Sequence, residues 1–171
     1  MGANGLRLRP LLPGDEAAFL AAHEAMTRED FAFGLGYQPG QPWPDYLAQL
    51  ERQRCGIDLP PGLVPATFLV GDVDGQLVGR SSIRHELNDF LRREGGHSGY
   101  GVLAEHRRRG YATEMLRQSL VVARAVGVVR VLVTCDHDNV GSATVIERCG
   151  GVLHSVIDCE DGIAKRHYWI D

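Results

Sequence analysis

Two segments, residues 66–70 and 77–84, flank Asp74-Gly75, a strong signal for a tight β-hairpin. Before them, residues 6–11 alternate apolar with basic positions and predict a first strand. Pro13-Gly14-Asp15 ends that strand, with Asp15 placed to cap a helix running to about Glu24. A second helix is predicted over 45–54, closed by the Pro- and Gly-rich stretch 60–65. Residues 97–103 predict a central strand. From Tyr111 to Val126 the apolar positions Met115, Leu116, Leu120, Ala123 and Val126 fall on one helical face, and Gly127 suits the stop. The unbroken apolar run 128–133 predicts a strand covered on both faces. A short helix over 140–149 and a last hairpin, 152–158 and 165–170 across Asp161-Gly162, complete the chain. The predicted order is β-αα-βββ-α-β-α-ββ: an α/β (α+β) fold with a mixed sheet of about seven strands and helices on both faces. Residues 1–171 read as one domain, with no repeat or linker.

Composition narrows the function classes. At 44% hydrophobic and 23% charged the chain is that of an ordinary globular protein. No apolar run approaches a bilayer span, and MGANGLRLRP lacks both a secretory h-region and a Ser or Thr where a myristoylation signal at Gly2 needs one. A cytoplasmic location is expected, with no membrane partner. The net charge of −4 gives no general pull toward nucleic acid. Cys55, Cys135, Cys149 and Cys159 form no C-x-x-C pair and read as reduced thiols.

Against this balance stands one dense basic cluster. The sequence Gly99-Tyr-Gly-Val-Leu-Ala-Glu-His-Arg-Arg-Arg-Gly-Tyr-Ala-Thr113 ends a strand, turns through three arginines and opens a helix. Free N–H groups at a helix start, with the helix dipole, attract an anion. Gly110 and Ala112 let the backbone approach a phosphate, Thr113 adds a hydroxyl, and the arginines supply charge for a diphosphate. A solvated basic turn is the plainer alternative. The loop has neither the Gly-Lys-Ser/Thr of a Walker loop nor the three spaced glycines of a dinucleotide fingerprint.

On these residues the chain resembles the GNAT superfamily of acetyl-CoA-dependent N-acetyltransferases, whose central motif is Arg/Gln-x-x-Gly-x-Gly/Ala. Here it reads Arg107-x-x-Gly110-x-Ala112, after Val102 and with Ala104 where proline is usual. A second motif begins Asp138-Asn139 and runs through Ser142, Ile146 and Glu147 to Gly150-Gly151. Ile146 stands where many relatives carry a tyrosine acid, and Gly151 replaces phenylalanine. The Asn-x-x-Ser form is similar to that of ribosomal-protein alanine acetyltransferases. Residues 83–88, 95–97 and 168–170 further resemble a poorly characterised bacterial subgroup.

The resemblance implies acetyl-CoA as cosubstrate, no metal, and an amine acceptor that the sequence does not identify. Backbone groups at Val102, Leu103 and Ala104 would pair with the pantetheine arm. Arg107, Arg108, Arg109, Gly110, Tyr111, Ala112 and Thr113 would cradle the diphosphate, with Asn139 and Ser142 nearby. Asn139 and Ser142 would serve equally as helix caps. Ser142 becomes the candidate acid, and His85 or His97, with Glu86 behind them, the candidate base. Cys135 reads as a small buried residue rather than a relay. The run Cys135-Asp136-His137-Asp138-Asn139 looks like a metal cluster, but its mixed spacing favours capping and a turn. The aromatic segment 27–46, with Glu24, Glu29 and Asp30, is either an acceptor wall or a lid on the sheet. A catalytically weak acyl-CoA-binding sensor is the competing function. The final hairpin, with Tyr168 and Trp169, offers an edge for a homodimer or closes the core.

Overall fold

The computed structural model describes residues 5–171. Gly2, weighed above as an acylation site, lies outside them. The elements are β1 (Leu6–Arg9), α1 (Glu16–Thr27), α2 (Trp43–Cys55), β2 (Ala66–Val73), β3 (Gln76–Arg84), β4 (Ser98–Val102), α3 (Tyr111–Ala125), β5 (Val131–Asp136), α4 (Val140–Arg148), β6 (Val152–Ile157) and β7 (Lys165–Ile170). The strands form one seven-stranded sheet in the order β1-β2-β3-β4-β5-β7-β6. All neighbours are antiparallel except β4 and β5. The expected α/β fold and element order are found.

Each face of the sheet carries its own core. On one, α1 and α2 bury Phe19, Met26, Trp43 and Tyr46 with Phe33, Phe68 and Val70. Tyr46 is fully buried and its hydroxyl donates to the Leu35 carbonyl, so the aromatic segment is a packed lid. Burying such a ring contributes on the order of 2 kcal/mol. On the other face, α3 and α4 bury Leu116, Leu120, Ala123, Ala143 and Ile146 against Ile83, Val131, Val133 and Tyr168. Arg9 on β1 grips Asp15 before α1 and Asp72 on β2, tying the first strand to both neighbours.

Two expectations are corrected. The fifth strand starts at Val131, not at Val128. Gly127 adopts φ 92°, Val128 donates back to the Ala123 carbonyl as part of the helix stop, and Val129 is 80% exposed. The ladder instead extends to Cys135 and Asp136, which pair with Arg166 and Lys165. Second, Tyr168 and Trp169 do not form a free edge, because β7 lies between β5 and β6. The edge belongs to β6, which exposes Val152, Leu153 and Val156.

The feature that positions the site is the junction of β4 with β5. These strands share a single ladder pair, Ser98 with Val133, and then separate. Just before it, the His97 N–H donates to the Leu132 carbonyl at 2.7 Å, and the Leu132 N–H returns to His97 Nδ1 at 2.9 Å. Beyond Ser98 the strands part, leaving one edge of β4 without a strand partner.

Candidate active site

The turn between β4 and α3 is shaped by two residues in the left-handed region, Arg108 at φ 61° and Gly110 at φ 82°. At Gly110 that conformation costs little, which is why glycine stands there. The result is a concave run of donors. Every N–H of residues 108–113 lacks an acceptor among the described residues, and ladder bonding resumes only when Glu114 donates to the Gly110 carbonyl. Successive unpaired N–H groups at a helix start form an anion nest reinforced by the helix dipole.

The three arginines have separate tasks. Arg107 donates from Nε to the Val102 carbonyl at 2.9 Å and pairs with Glu29 across the lid. Arg109 donates to the Glu105 carbonyl at 3.1 Å. Arg108 alone makes no such bond among the described residues, and it lines a cleft of about 410 Å³ between the start of α3 and α4. Gly110, Tyr111, Ala112 and Thr113 form one wall, with Val140, Gly141, Thr144 and Arg148 opposite. Arg148, a third arginine on this cleft, was not singled out in the sequence because it belongs to no motif.

Val102, Arg107, Ala112, Gly141 and Val145 are shared with a second cleft of about 450 Å³, which crosses the β4–β5 opening toward Met26, Glu29 and Phe31. Val102 is at its rim. The Leu103 N–H is taken by the Val78 carbonyl, so Leu103 is bound to β3. Strand alternation then turns the main chain of Val102 and Tyr100 toward the opening. Leu103 is buried, and the Ala104 carbonyl already accepts from Arg107.

Within the second cleft the Tyr100 hydroxyl lies 2.9 Å from the Ser142 hydroxyl. Ser142 is held by α4, whose cap is Asn139: its side-chain oxygen accepts the Ser142 N–H at 3.0 Å. Asn139 therefore caps the helix and also lines the cleft. Burial pushes the Tyr100 phenol well above its ordinary value, so it stays protonated. Tyr100 was missed in the sequence because the family position for a tyrosine is on α4. That position, Ile146, is fully buried in the core. The alternation of β4, which turns Gly99 and Gly101 to one face and Tyr100 to the other, was the available signal.

The two histidines are elsewhere. His85 follows the far end of β3, donating its N–H to the Pro65 carbonyl and bonding through Nε2 to Thr67 Oγ1 at 2.8 Å. His97 precedes β4, five residues before Val102, or about 17 Å along a strand. Burial, with the charges of Arg92 and Arg84, pulls its pKa down to about 4. Its Nδ1 is committed to Leu132. Both stand toward the closed end of the β4–β5 junction, away from Val102 and the open end. Cys135, buried at the end of β5, has its thiol pushed up by desolvation. Asp136 pairs with Lys165, and its carbonyl accepts the Asn139 N–H, so this run forms a turn.

With this geometry in view, comparison with known proteins is direct. Residues 5–152 match the acetyltransferase (GNAT) domain family, and the chain belongs to it. No curated protein sequence matches significantly. Among solved structures, RimJ of Mycobacterium smegmatis in complex with CoA-disulfide is similar at TM-score 0.70 and 21% identity, over 96% of this chain and 81% of that one. YncA of Salmonella typhimurium, a putative acetyltransferase with acetyl-CoA, is similar at TM-score 0.64 and 16% identity, over 98% and 94%. A chimera of Vibrio cholerae spermidine N-acetyltransferase is similar at TM-score 0.65 and 18% identity, over 98% and 95%. The protein is thus a GNAT-fold acetyltransferase. No helix among its described residues is long and apolar enough to cross a membrane.

Proposed function

We propose that the protein transfers an acetyl group from acetyl-CoA to a primary amine, by direct attack in a ternary complex. The observation that carries this reading is the run of unpaired N–H groups at residues 108–113, opening on a cleft continuous with the β4–β5 gap. The diphosphate binds on that run, with Arg108 and Arg148 adding charge. The pantetheine arm extends along the free edge of β4 at Val102, and the thioester comes to rest beside Tyr100 and Ser142.

Direct attack requires an uncharged amine, a donor for the developing oxyanion and an acid for the departing sulfur. The Val102 N–H, turned to the opening, suits the oxyanion. Ser142 gives its proton to the departing thiolate while Tyr100, kept protonated by burial, orients it through their shared hydrogen bond, and water returns the proton to Ser142 as CoA leaves. Glu29, a carboxylate lining the second cleft, draws in the cationic amine, whose proton passes to water before attack. The free cysteines and the cosubstrate fit work in the cytoplasm.

Titration calorimetry with acetyl-CoA tests the proposal, with Gly110→Glu as control. The substitution puts a β-carbon at φ 82° and a carboxylate in the nest. Saturable binding by the wild type that is lost in the variant is expected, followed by amine-dependent release of CoA. A folded wild type that does not bind acetyl-CoA would sink the reading; binding without any turnover would leave only an acyl-CoA sensor.

A further inference from the structure

On the lid side of the sheet, β3 presents Arg80 and Arg84 toward the same face, four residues apart. Neither has a carboxylate partner among the described residues. Arg80 is only 5% exposed. It donates from Nη1 to the Gly99 carbonyl at 3.1 Å and from Nη2 to the Ala32 carbonyl at 2.6 Å, while its Nε is buried without any partner. The ring of Phe31 lies over it, 4.4 Å from the guanidinium carbon to the ring centre. Arg84 is half-buried and makes one hydrogen bond, from Nη1 to the Gly95 carbonyl at 3.2 Å. Its other donors find no acceptor in the protein among the described residues.

A cation withdrawn from water without a counter-ion is destabilising, and two side by side more so. Burial and the charge of Arg84 pull the Arg80 guanidinium down to about 9, which is the same repulsion seen from the other side. Structural arginines ordinarily recruit a carboxylate. Here the neighbouring strand offers only glycines on this face, and Arg84 and Phe31 lie directly over them. Gly99 and Gly101 are both partly exposed and point to this face. A β-carbon at Gly99 would meet the Arg84 guanidinium at 3.1 Å, and one at Gly101 would meet the Phe31 ring at 2.4 Å. The floor of β4 thus runs from Arg84 at Gly99, past Phe31 at Gly101, to Val102 and the mouth at Glu29. Two strand residues span about 7 Å. That is the reach of a small molecule with an amine at one end and an acid at the other.

We propose that the acceptor is a small amine carrying a carboxylate or phosphate a few bonds from its nitrogen, held by Arg84 over Gly99 with its amine directed past Phe31 to the thioester. Arg80 supports that site from beneath as a second, fixed positive charge. Polyamines, which lack an anionic group and would meet two cations, should be poor acceptors. The inference rests on the acetyltransferase reading above and specifies its substrate class.

Matched acceptors test it. Amino acids whose amine and carboxylate are two to five carbons apart are compared with their amides, and ethanolamine phosphate with ethanolamine, by chromatographic detection of CoA release. The anionic member of the productive pair is expected to exceed its neutral partner at least tenfold in kcat/KM. Arg84→Met should bring that ratio close to one, whereas Arg84→Lys should keep part of it. The ratio is the readout because a merely unfolded variant would lose both acceptors alike. A better carboxylate than phosphate, or the reverse, identifies which anion the site takes. Neutral amides or spermidine acetylated as well as the acids would overturn the anion site and leave the acetyltransferase standing. If nothing is acetylated, calorimetry of the CoA complex with the same compounds separates the two claims. Arg84-dependent binding of the acids upholds the site and removes the activity, and no binding overturns the site as well.

Discussion

The Tyr100 phenol, from the strand that loses its partner, stands 2.9 Å from the Ser142 hydroxyl on the helix facing it. The two hydroxyls close one side of the opening. If they work as one proton path, their effects will not add. Tyr100→Phe and Ser142→Ala should each lower kcat about 100-fold with little change in KM for acetyl-CoA. The double variant should be scarcely worse than either single one, since removing any member breaks the path. Additive losses in steady-state rates would show the two acting separately.

The approach of Phe31 to Gly101 makes a steric prediction. A β-carbon there would overlap the ring at 2.4 Å, so Gly101→Ala should destabilise the fold by about 2 kcal/mol. Phe31→Ala removes the obstruction at its own cost in buried surface. The double variant should therefore be more stable than the sum of the two losses predicts, measured by urea unfolding. At Gly79 no such rescue exists, because its β-carbon would strike the Gly101 carbonyl oxygen at 2.3 Å, which is backbone.

His97 predicts how stability depends on pH. Its folded pKa, about 4, is below the ordinary 6.5, so in this window the unfolded chain binds the proton more readily. Stability is unaffected by this group above pH 6.5 and falls as pH drops from there toward 4, by at most about 1.4 kcal/mol per pH unit. His97→Asn keeps an acceptor for the Leu132 N–H and cannot titrate. By pH 4.5 the wild type should have lost about 2 kcal/mol relative to that variant, measured from parallel denaturant titrations. Parallel curves would show that the imidazole titrates alike in both states.

Arg107 spans from the Val102 carbonyl to Glu29 with a planar guanidinium, which lysine does not reproduce. Because the pair with Glu29 is largely exposed, Arg107→Lys should cost less than about 1 kcal/mol of stability. The Val102 carbonyl sits at the rim of both clefts, so the same change should raise KM for acetyl-CoA several-fold. A large loss in thermal stability with unaltered kinetics would contradict this division.

The turn between β4 and α3 was legible because its chemistry is local. Gly110 and Ala112 sit in consecutive sequence at a strand-to-helix junction, and the free N–H groups follow from that junction alone. The order of elements was legible from periodicity for the same reason. What escaped was set by pairing between distant strands. His97 looked available because nothing in the sequence says that Leu132 occupies its Nδ1. Ser142 and Asn139 were seen, but the partner of Ser142, Tyr100, comes from residues forty positions away. The fifth strand was misplaced by three residues because apolar character at Val128 and Val129 marks a helix stop and an exposed turn as readily as a strand.

The single ladder pair at Ser98 and Val133 has a mechanical consequence. Strands β1 to β4 and strands β5 to β7 are two plates riveted at one point, where the His97–Leu132 exchange reinforces the Ser98 bond. The helices α3 and α4, packed across the same face, limit how far the plates can swing. A rivet at one end leaves the leverage at the other, so a small rotation about residues 97–98 is magnified at Val102 and Cys135. The width of the slot between β4 and β5 is thus governed by packing some 17 Å away, and substitutions at this fastening should alter the aperture without touching its mouth.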